Sequence, residues 1–338
     1  MNILITGGAG FIGSHVAERL LRKGRRLTII DDLNDFYPPA WKRQNLAEIT
    51  QTGPIDFHQI DICDQKAVFT VVARAMPDVI IHLAARAGVR PSLEDPLLYE
   101  QVNVRGTLVL LEASRRFGVR KFIFASSSSV YGAENRVPFR ETGCVDFPIS
   151  PYAATKIAGE RLCYTYSHLY SISVVCLRFF TVYGPRQRPD LAIRKFVESI
   201  EQGRRIQVFG SGASARDYTY VEDIAAGVAA AVSYHCGYEL FNLGNSDPIT
   251  LTDMIRTIEN ALGKKAILDH VPEQPGDVPI TYADISKARR LLDYRPATKF
   301  PEGIEKFVAW HRRRPAFCAR RQKGSKSETR APNFPAVW

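Results

Sequence analysis

The amino-terminal segment, residues 1–32, constrains the fold more than any other part of this chain. An apolar run at residues 2–5 predicts a buried parallel strand, a glycine-rich turn follows, and the apolar spacing after it predicts a helix. In such a turn Gly7 allows the tight bend, Gly10 lets the backbone approach a pyrophosphate, and Gly13 lets helix and strand pack closely. The N–H groups at the helix start then face the anion. The pattern predicts a dinucleotide site, although a glycine turn without a ligand has the same short motif.

An acidic residue stands where the second strand is expected to end. Residues 25–30 predict that strand, and Asp31 follows it at a distance from the glycines where a carboxylate binds ribose hydroxyls. A carboxylate there would repel a 2′-phosphate, and no arginine follows at once, which favours NAD over NADP. Further residues expected at the cofactor lie in the glycine turn or at strand ends: Phe11, Ile12, Asp32, Asp61, Ile62, Leu83, Ala84 and Ala85.

Composition narrows the class of protein. The chain has 338 residues, 45% of them apolar, so it can bury one large core or two linked lobes. No apolar run reaches the length of a membrane span, and Met1 leads directly into the first predicted strand, so we expect a cytoplasmic protein without a membrane partner. The six cysteines are scattered without a Cys-x-x-Cys pair, so neither a metal site nor a disulfide framework is expected.

The positive charge is concentrated at the carboxyl terminus. The formal net charge is +10, and most of it lies in residues 311–338, which are basic and have little apolar periodicity. We expect a disordered, solvated tail rather than a nucleic-acid-binding arm. No nucleic-acid partner is therefore expected.

Strands and helices alternate along the first half of the chain, which predicts an α/β fold with a Rossmann-type doubly wound parallel sheet. The alternation becomes irregular later, and we expect a smaller C-terminal substrate-binding lobe. The predicted units are a dinucleotide-binding domain at residues 1–177, a lobe at residues 178–310 interleaved with it, and the tail.

Some local features of the same chain are also predicted. Residues 34–42 and 181–189 are expected to be loops, and residues 103–117 one long helix. His82 lies in an apolar strand and is expected to be a hydrogen-bonded core histidine.

A tyrosine and a lysine lie four residues apart at the start of a predicted helix, residues 152–169. Positions four apart share one helical face, so Lys156 can sit beside Tyr152. An ammonium group there would lower the pKa of the phenol and favour phenolate near neutral pH, which makes Tyr152 a candidate general base. The spacing alone recurs by chance, but a serine-rich strand end upstream adds Ser127 as a second candidate.

This chain resembles the extended short-chain dehydrogenase/reductases, in particular their NAD-dependent nucleotide-sugar epimerases and dehydratases. The resemblance is carried by the glycine turn, Ser127, Tyr152 and Lys156, which occur in the same order along the chain. The resemblance runs from residue 1 to about residue 312. It implies that Tyr152 is the base on the sugar O4 hydroxyl, that Ser127 shares this hydrogen bond, and that Lys156 holds the nicotinamide ribose. It also implies hydride transfer from sugar C4 to tightly bound NAD.

The residues after Ser127 separate the classes of that family. Its dehydratases have an Asp-Glu pair directly after the catalytic Ser or Thr, and its UDP-xylose-forming decarboxylases usually have a glutamate at the second position. This chain has Ser128 and Ser129 there. The outcome that remains is C4 epimerisation, in which the 4-keto sugar turns in the pocket and the hydride returns to its other face.

Several stretches look like those of UDP-glucuronate 4-epimerases, whereas UDP-glucose 4-epimerases typically have Asn at the position of Thr181. A C5 carboxylate requires hydrogen-bond donors or positive charge, which Ser128, Thr181, Arg188 and Arg90 can supply. One departure leaves the identity of the sugar open, because residues 185–188 read Pro-Arg-Gln-Arg where these enzymes usually read Pro-Trp-Gly-Arg. The stretches that carry the resemblance are residues 34–37, 87–90, 178–185, 188–190 and 274–279.

The same matching implies a site for the nucleotide. Arg216 would bind the UDP phosphates, Asp277 the uridine ribose, and the strand of Gln207, Val208 and Phe209 the uracil.

The resemblance also implies a homodimer, because the helix that carries the tyrosine commonly joins a bundle between subunits in this family. Leu162, Tyr166 and Leu169 on that helix are expected in the core or in the dimer face.

Three functions remain open. They are a UDP-hexuronate C4 epimerase, a neutral UDP-hexose C4 epimerase on the same scaffold, and a non-catalytic NAD-binding interaction protein. The complete set of Ser127, Tyr152 and Lys156 argues against the last.

Overall fold

The computed structural model describes residues 1–133, 136–272 and 278–313, in which twelve β-strands and twelve α-helices lie. The strands are β1 (Asn2–Thr6), β2 (Arg26–Ile30), β3 (Ile55–His58), β4 (Val79–His82), β5 (Lys121–Ser127), β6 (Ser173–Phe179), β7 (Thr181–Tyr183), β8 (Arg205–Phe209), β9 (Ala215–Tyr220), β10 (Tyr238–Leu243), β11 (Pro248–Thr250) and β12 (Ile267–Val271). The helices are α1 (Phe11–Arg22), α2 (Pro39–Thr52), α3 (Gln65–Ala75), α4 (Val89–Glu94), α5 (Pro96–Glu100), α6 (Gly106–Phe117), α7 (Pro151–Tyr170), α8 (Ala192–Glu201), α9 (Val221–Ser233), α10 (Leu251–Leu262), α11 (Ser286–Leu292) and α12 (Phe300–Arg313). None of the helices in these ranges combines the length and the apolar content that a bilayer crossing requires.

Seven parallel strands form the central sheet in the order β3-β2-β1-β4-β5-β6-β10. The chain adds strands outward from β1 on one side and then crosses to β4 on the other. Sheets of this kind bind their ligands at the carboxyl ends of the strands beside this switch point. The predicted doubly wound sheet is confirmed, and its switch point lies next to the glycine turn that follows β1.

Both faces of the central sheet are buried. Ile3 and Ile5 of β1 belong to a core that includes α1 and α9, and Leu4 between them belongs to a second core that includes α3 and α6. Burial on both faces is typical of parallel strands and explains why these strands appear in the sequence as continuous apolar runs.

The later part of the chain contributes both to this sheet and to a second lobe. Helix α9 packs on α1, and β10 pairs in parallel with β6. The expected boundary at residue 177 thus falls inside β6. The smaller lobe contains the sheet β11-β9-β7, the parallel pair β12-β8, and a third core among α8, α10 and α12.

Three local predictions are wrong. The expected loop at residues 34–42 ends early, because Pro39 starts α2 and its fixed φ suits the first helical turn. The expected helix at residues 103–117 begins as a π-helical turn, Gln101–Arg105, before regular helix starts. The expected loop at residues 181–189 begins with β7, which pairs with β9.

The basic tail is ordered at its first residues. Helix α12 continues to Arg313, because His311 Nε2 lies 3.0 Å from a carboxylate oxygen of Glu201 and Arg312 Nη2 donates to the carbonyl of Leu262 at 3.0 Å. The rest of the predicted disordered tail lies outside the described residues.

The helix that carries Tyr152 is packed on one side only. Leu162 and Tyr166 contribute to the core beneath α7, whereas Leu169 is 60% exposed. Of the three residues expected in the core or in a dimer face, only the last is available for a partner.

Candidate active site

The turn between β1 and α1 has the geometry predicted for a pyrophosphate site. Gly7 has a φ of +70°, and a Cβ on it would lie 2.7 Å from the backbone nitrogen of Ala84. A Cβ on Gly13 would lie 2.1 Å from the carbonyl oxygen of Gly7, so only glycine allows α1 to approach the turn this closely. Gly10 is the N-cap of α1 and has no side chain to bind the first N–H groups, which suits an anion at this position.

Acidic residues after β2 line the adjoining wall. Asp31 is buried, and its carboxylate accepts a hydrogen bond from the backbone N–H of Ala9 in the glycine turn, at 3.1 Å. Burial raises the pKa of Asp31, and the charge of Lys42 opposes this. Asp32 accepts from the side chain of Asn34 at 2.6 Å. Lys42 lies in the same wall and was not predicted from the sequence, because residues 34–42 were expected to be a loop.

His82 links β1 to α6 at the switch point of the sheet. Its Nδ1 lies 2.7 Å from Thr6 Oγ1, and its Nε2 lies 3.0 Å from Thr107 Oγ1. The Thr107 hydroxyl donates its own hydrogen to the carbonyl of Asn103 at 2.6 Å, so Nε2 of His82 carries the ring proton and Nδ1 accepts. Burial lowers the pKa of His82 to about 3, in keeping with a neutral ring. The prediction of a hydrogen-bonded core histidine is confirmed.

Asn103, in the π-helical turn, is a site residue that the sequence did not indicate. Its side chain donates to the carbonyl of Arg86 and to Thr155 Oγ1, both at 3.0 Å, and accepts from the N–H of Arg86 at 2.8 Å. It therefore joins the loop after β4 to α7. The π turn itself is a backbone feature that is frequent at functional sites and has no residue pattern of its own.

One cavity of about 330 Å³ opens where β1, β4 and β5 end. Five of the residues predicted for catalysis or sugar binding line it together, namely Ser127, Tyr152, Lys156, Thr181 and Arg188. Every predicted cofactor residue also lines it: Gly7, Gly10, Phe11, Ile12, Gly13, Asp31, Asp32, Asp61, Ile62, Leu83, Ala84, Ala85, Tyr152 and Lys156. The residues predicted to bind a dinucleotide and those predicted to bind the reacting part of a substrate therefore line the same cavity.

Tyr152 and Lys156 lie on consecutive turns of α7 and face this cavity. The Ser150 side chain accepts from the N–H of Ala153 at 3.1 Å, and this N-cap fixes the first turn of the helix. Lys156 is buried, its Nζ donates to the carbonyl of Ala125 at 2.8 Å, and it lies 5.9 Å from the centroid of the Tyr152 ring. The predicted side-by-side arrangement is therefore present.

The ionisation of Tyr152 differs from the prediction. Burial raises the pKa of the phenol, and a hydrogen bond with Ser127 and the charge of Arg188 oppose this only in part. Burial also lowers the pKa of Lys156 to about 8. The prediction that Lys156 brings the tyrosine pKa down is wrong, since the opposing groups are Ser127 and Arg188.

A buried ion pair holds α7 against the sheet. Arg178 Nη2 lies 2.7 Å from Glu160 Oε2, and Ser126 Oγ donates to Glu160 Oε1 at 2.5 Å. Ser126 precedes Ser127 in β5, and Glu160 follows Lys156 by one helical turn. The pair therefore sets the relative position of the two elements that carry the catalytic candidates, and removing one partner would leave a buried charge uncompensated.

Arg188 reaches the cavity from the loop after β7. Its Nε and Nη2 donate to the two carboxylate oxygens of Asp190 at 3.0 and 2.7 Å. The guanidinium lies 5.3 Å from the ring centroid of Phe36, and Nη2 lies 3.4 Å from the carbonyl oxygen of Ala87. A positive charge is thus held beside the candidate base, Tyr152.

A second cavity, of about 660 Å³, lies next to the first, and the loop at residues 188–192 borders both. Gln207, Phe209 and Arg216 line the second cavity, as expected for a nucleotide site. Arg90 lines it too, with its guanidinium 5.5 Å from the ring centroid of Phe209. The structure therefore places Arg90 beside the residues predicted for the nucleotide and not among those that line the first cavity.

Two other predicted substrate residues, Val208 and Ser128, are not among those that line either cavity. The alternation of β8 directs the Val208 side chain into the core of the smaller lobe, so only its backbone is near the second cavity. Ser128 starts a short 3-10 turn, Ser128–Tyr131, and lines neither cavity. Asp277 lies outside the described residues.

Comparison with known proteins first defines the class. The doubly wound sheet and the cofactor cavity are those of an extended short-chain dehydrogenase/reductase of the nucleotide-sugar type. A family model described as GDP-mannose 4,6 dehydratase matches residues 4–307. This chain belongs to that family.

Individual relatives are more specific. The chain is 44% identical over 308 residues to a UDP-glucuronate 4-epimerase of Thermodesulfobacterium geofontis, which covers 91% of this chain and 95% of the relative. The crystal structure of UDP-glucuronic acid 4-epimerase from Bacillus cereus with UDP-glucuronic acid and NAD is 35% identical, with a TM-score of 0.87 over 92% of this chain and 99% of that one. The UDP-glucose 4-epimerase of Thermotoga maritima with UDP-glucose is also similar, at 32% identity and a TM-score of 0.85 over 92% of this chain and 99% of that one.

Proposed function

We propose that this protein catalyses the NAD-dependent C4 epimerisation of UDP-glucuronate to UDP-galacturonate. One observation carries the proposal: Tyr152, Ser127 and Arg188 meet in the cavity that the predicted cofactor residues line. A base, a hydroxyl and a fixed positive charge match the three demands of the reaction, which are proton removal at O4, orientation of that oxygen and retention of a C5 carboxylate. The similarity to two UDP-glucuronate 4-epimerases supports the same assignment.

The proton of the sugar O4 hydroxyl passes to Tyr152. Burial raises the pKa of this phenol, and the phenolate is favoured by the hydrogen bond with Ser127 and by the charge of Arg188, which both oppose that rise. Lys156 holds the ribose next to the nicotinamide. When bound, NAD accepts a hydride from sugar C4 and returns it, and its positive nicotinamide favours the phenolate. C4 and O4 thus become a ketone while one proton rests on Tyr152.

The second half of the reaction reverses the first on the other face of the sugar. The 4-keto ring turns in the cavity, C4 regains a hydride, and Tyr152 returns its proton to O4, so no net oxidation occurs. The oxidised uronate is a β-keto acid that loses CO₂ easily. Arg188 and Thr181 hold its carboxylate, since they line the cavity beside Tyr152 and can bind both carboxylate oxygens.

The nucleotide occupies the second cavity. Arg216 binds the phosphates and the Gln207–Phe209 end of β8 binds the uracil, because these residues line a space of about 660 Å³ next to the sugar site. Asp277 binds the uridine ribose. A nucleotide anchored there leaves the sugar free to turn during the reaction.

The first experiment is NMR of UDP-glucuronate, and separately of UDP-glucose, incubated with purified protein and no added reductant. We expect the galacturonate isomer to appear from UDP-glucuronate. Galactose formed from UDP-glucose alone would contradict the role of Arg188 and keep the mechanism. No change in either sugar would contradict the epimerase and favour the non-catalytic NAD-binding protein.

The protein is proposed to work as a homodimer. An exposed apolar surface runs over α4 to α7, with side chains exposed by 62, 79, 38, 53 and 60% at Leu93, Leu97, Leu108, Tyr164 and Leu169. Apolar surface of this kind is typical of an interface. Light scattering after gel filtration should give twice the chain mass for the wild type and the chain mass for Leu97→Glu, and a monomeric wild type would contradict the proposal.

A further inference from the structure

Residues 185–188 are here called the Arg188 segment. They contact helices α1 and α2 before the chain reaches the first cavity at Arg188. Arg186 has a φ of +64°, and its side chain lies between α1 and α2. Its Nη2 lies 2.5 Å from Glu18 Oε1 and 2.6 Å from Glu48 Oε2, and its Nε donates to the same Glu48 oxygen at 2.8 Å. The Arg186 side chain is 11% exposed and does not form part of the wall of either cavity.

The residues on both sides of Arg186 are held as well. The carbonyl of Pro185 lies 3.0 Å from Nε2 of His15 in α1, and Nδ1 of the same ring lies 2.7 Å from a carboxylate oxygen of Glu222. Both ring nitrogens thus lie within hydrogen-bond distance of oxygen atoms on other elements. The carbonyl of Gln187 accepts from Nη1 of the buried Arg194 at 2.7 Å. Three consecutive residues are fixed before the chain enters the cavity.

The backbone conformation of Arg186 shows that these contacts determine the path of the segment. A left-handed φ is unfavourable for arginine, so it persists only where surrounding contacts impose it. Two carboxylates on two different helices impose it here. Since Arg188 follows only two residues later, the position of its guanidinium depends on where this anchor lies.

We propose that Arg186 is a positioning residue for substrate binding: it clamps the Arg188 segment to α1 and α2 and so aims Arg188 at the C5 carboxylate of the sugar. The inference rests on the proposed function, because it takes a uronate as the ligand of Arg188. It also explains the departure from Pro-Trp-Gly-Arg in this loop. The arginine that replaces the usual tryptophan faces helices α1 and α2, so it changes the support of the sugar site and not its lining.

The test compares two ligands that share the nucleotide and differ in the sugar. Calorimetry on the full-length, NAD-loaded protein measures the affinities for UDP-glucuronate and for UDP. In Arg186→Met we expect the affinity for UDP-glucuronate to fall about tenfold, a typical size for coupling between sites, while the affinity for UDP stays within about twofold. Arg22→Met is the matched control, because Arg22 binds the other oxygen of Glu18 at 3.1 Å, is 58% exposed and does not contact the segment. It should change neither affinity.

A second set of variants tests the clamp independently of any damage to the fold. Glu18→Gln with Glu48→Gln should reproduce the loss, and adding Arg186→Met to that pair should cause little more, since all three changes break one set of contacts. Arg186→Lys should recover part of the affinity. Thermal melting checks that each variant is folded.

The outcomes separate this inference from the proposed function. Wild-type protein that does not bind UDP-glucuronate would overturn both. Wild-type binding together with an unchanged ratio of the two affinities in Arg186→Met would overturn the positioning role alone. An equal loss for both ligands, or a loss in Arg22→Met of the same size, would also overturn it, because either result would indicate general damage to the lobe boundary.

Discussion

The cofactor end and the sugar end of the candidate site are held by different parts of the chain. At the cofactor end the constraints lie in the backbone and in the core of the sheet: a Cβ on Gly13 would come within 2.1 Å of a carbonyl oxygen, and the buried side chain of His82 links β1 to α6. At the sugar end the constraints are charged side chains on loops, above all Arg188 with Asp190 and Arg186 with its two carboxylates.

This difference has a consequence for how the two ends respond to substitution. Where the wall of a site is formed by backbone and core residues, a single substitution disturbs the sheet. Cofactor binding and the hydride chemistry therefore depend directly on the fold. A wall of loop side chains can be exchanged locally. We therefore expect substitutions near the sugar to change which substrate is bound, and substitutions at the cofactor end to change the reaction rate or the stability.

The largest expected effect comes from the base that lies between the two ends. Tyr152→Phe removes the phenol oxygen and should lower kcat about 1,000-fold, within the usual range for loss of a general base, while the affinity for UDP-glucuronate changes little. Steady-state kinetics and calorimetry measure the two quantities. Tyr99→Phe is the control, since the Tyr99 ring lies 6.2 Å from that of Tyr152 and its hydroxyl donates to a backbone carbonyl. Turnover that survives in Tyr152→Phe would rule out the assigned base.

The next effect should be confined to the sugar end. Arg188→Met removes the charge beside the carboxylate and should raise KM for UDP-glucuronate by about 10- to 100-fold, the value of a charge-assisted hydrogen bond, with little effect on UDP affinity. Because Arg188 also lowers the pKa of Tyr152, the rising limb of the rate against pH should move to higher pH in the variant. An unchanged KM for UDP-glucuronate in Arg188→Met would contradict the proposal that charged loop side chains bind the sugar.

The same division explains how much the sequence could predict. The glycine turn and the strand ends depend on local sequence, and every residue assigned to the cofactor lines one cavity. Arg90 and Val208 were assigned by their positions in the chain, but the directions of their side chains depend on tertiary packing. Val208 packs into the core of the smaller lobe, and the guanidinium of Arg90 lies over the ring of Phe209. Asn103 was not found, because its role comes from a π turn with no residue signature.

The predicted ionisation failed for a related reason. The spacing of Tyr152 and Lys156 gives their proximity but not their burial, and burial raises the pKa of the tyrosine and lowers that of the lysine. Arg188, which is distant in the chain, acts on the phenol instead. Long-range electrostatics of this kind cannot be inferred from helical spacing.

A stability measurement tests the cofactor end. Burial lowers the pKa of His82 from 6.5 to about 3, so between these values the unfolded chain binds a proton that the folded protein does not. The free energy of unfolding should therefore fall as pH decreases from 6.5, by at most about 1.4 kcal/mol per pH unit from this residue. In His82→Gln the stability at neutral pH should be lower, but its decline between pH 6.5 and pH 5 should be shallower. Urea unfolding at several pH values measures both, and His235→Gln, an exposed control, should leave the slope unchanged.

The smallest expected effect lies at the second cavity, where the Arg90 guanidinium lies 5.5 Å from the ring centroid of Phe209. Phe209→Leu keeps an apolar side chain in β8 and removes the ring, so the affinity for UDP should fall only about two- to fivefold, as expected for one exposed cation–π contact. Arg90→Met should cause a similar loss and the double variant little more, because the two residues act as one unit. Phe147→Leu, at a ring 67% exposed and outside both cavities, should have no effect. If the losses of UDP affinity in the two single variants instead add fully in the double variant, Arg90 binds the nucleotide independently of the Phe209 ring. The two residues would then be separate nucleotide contacts.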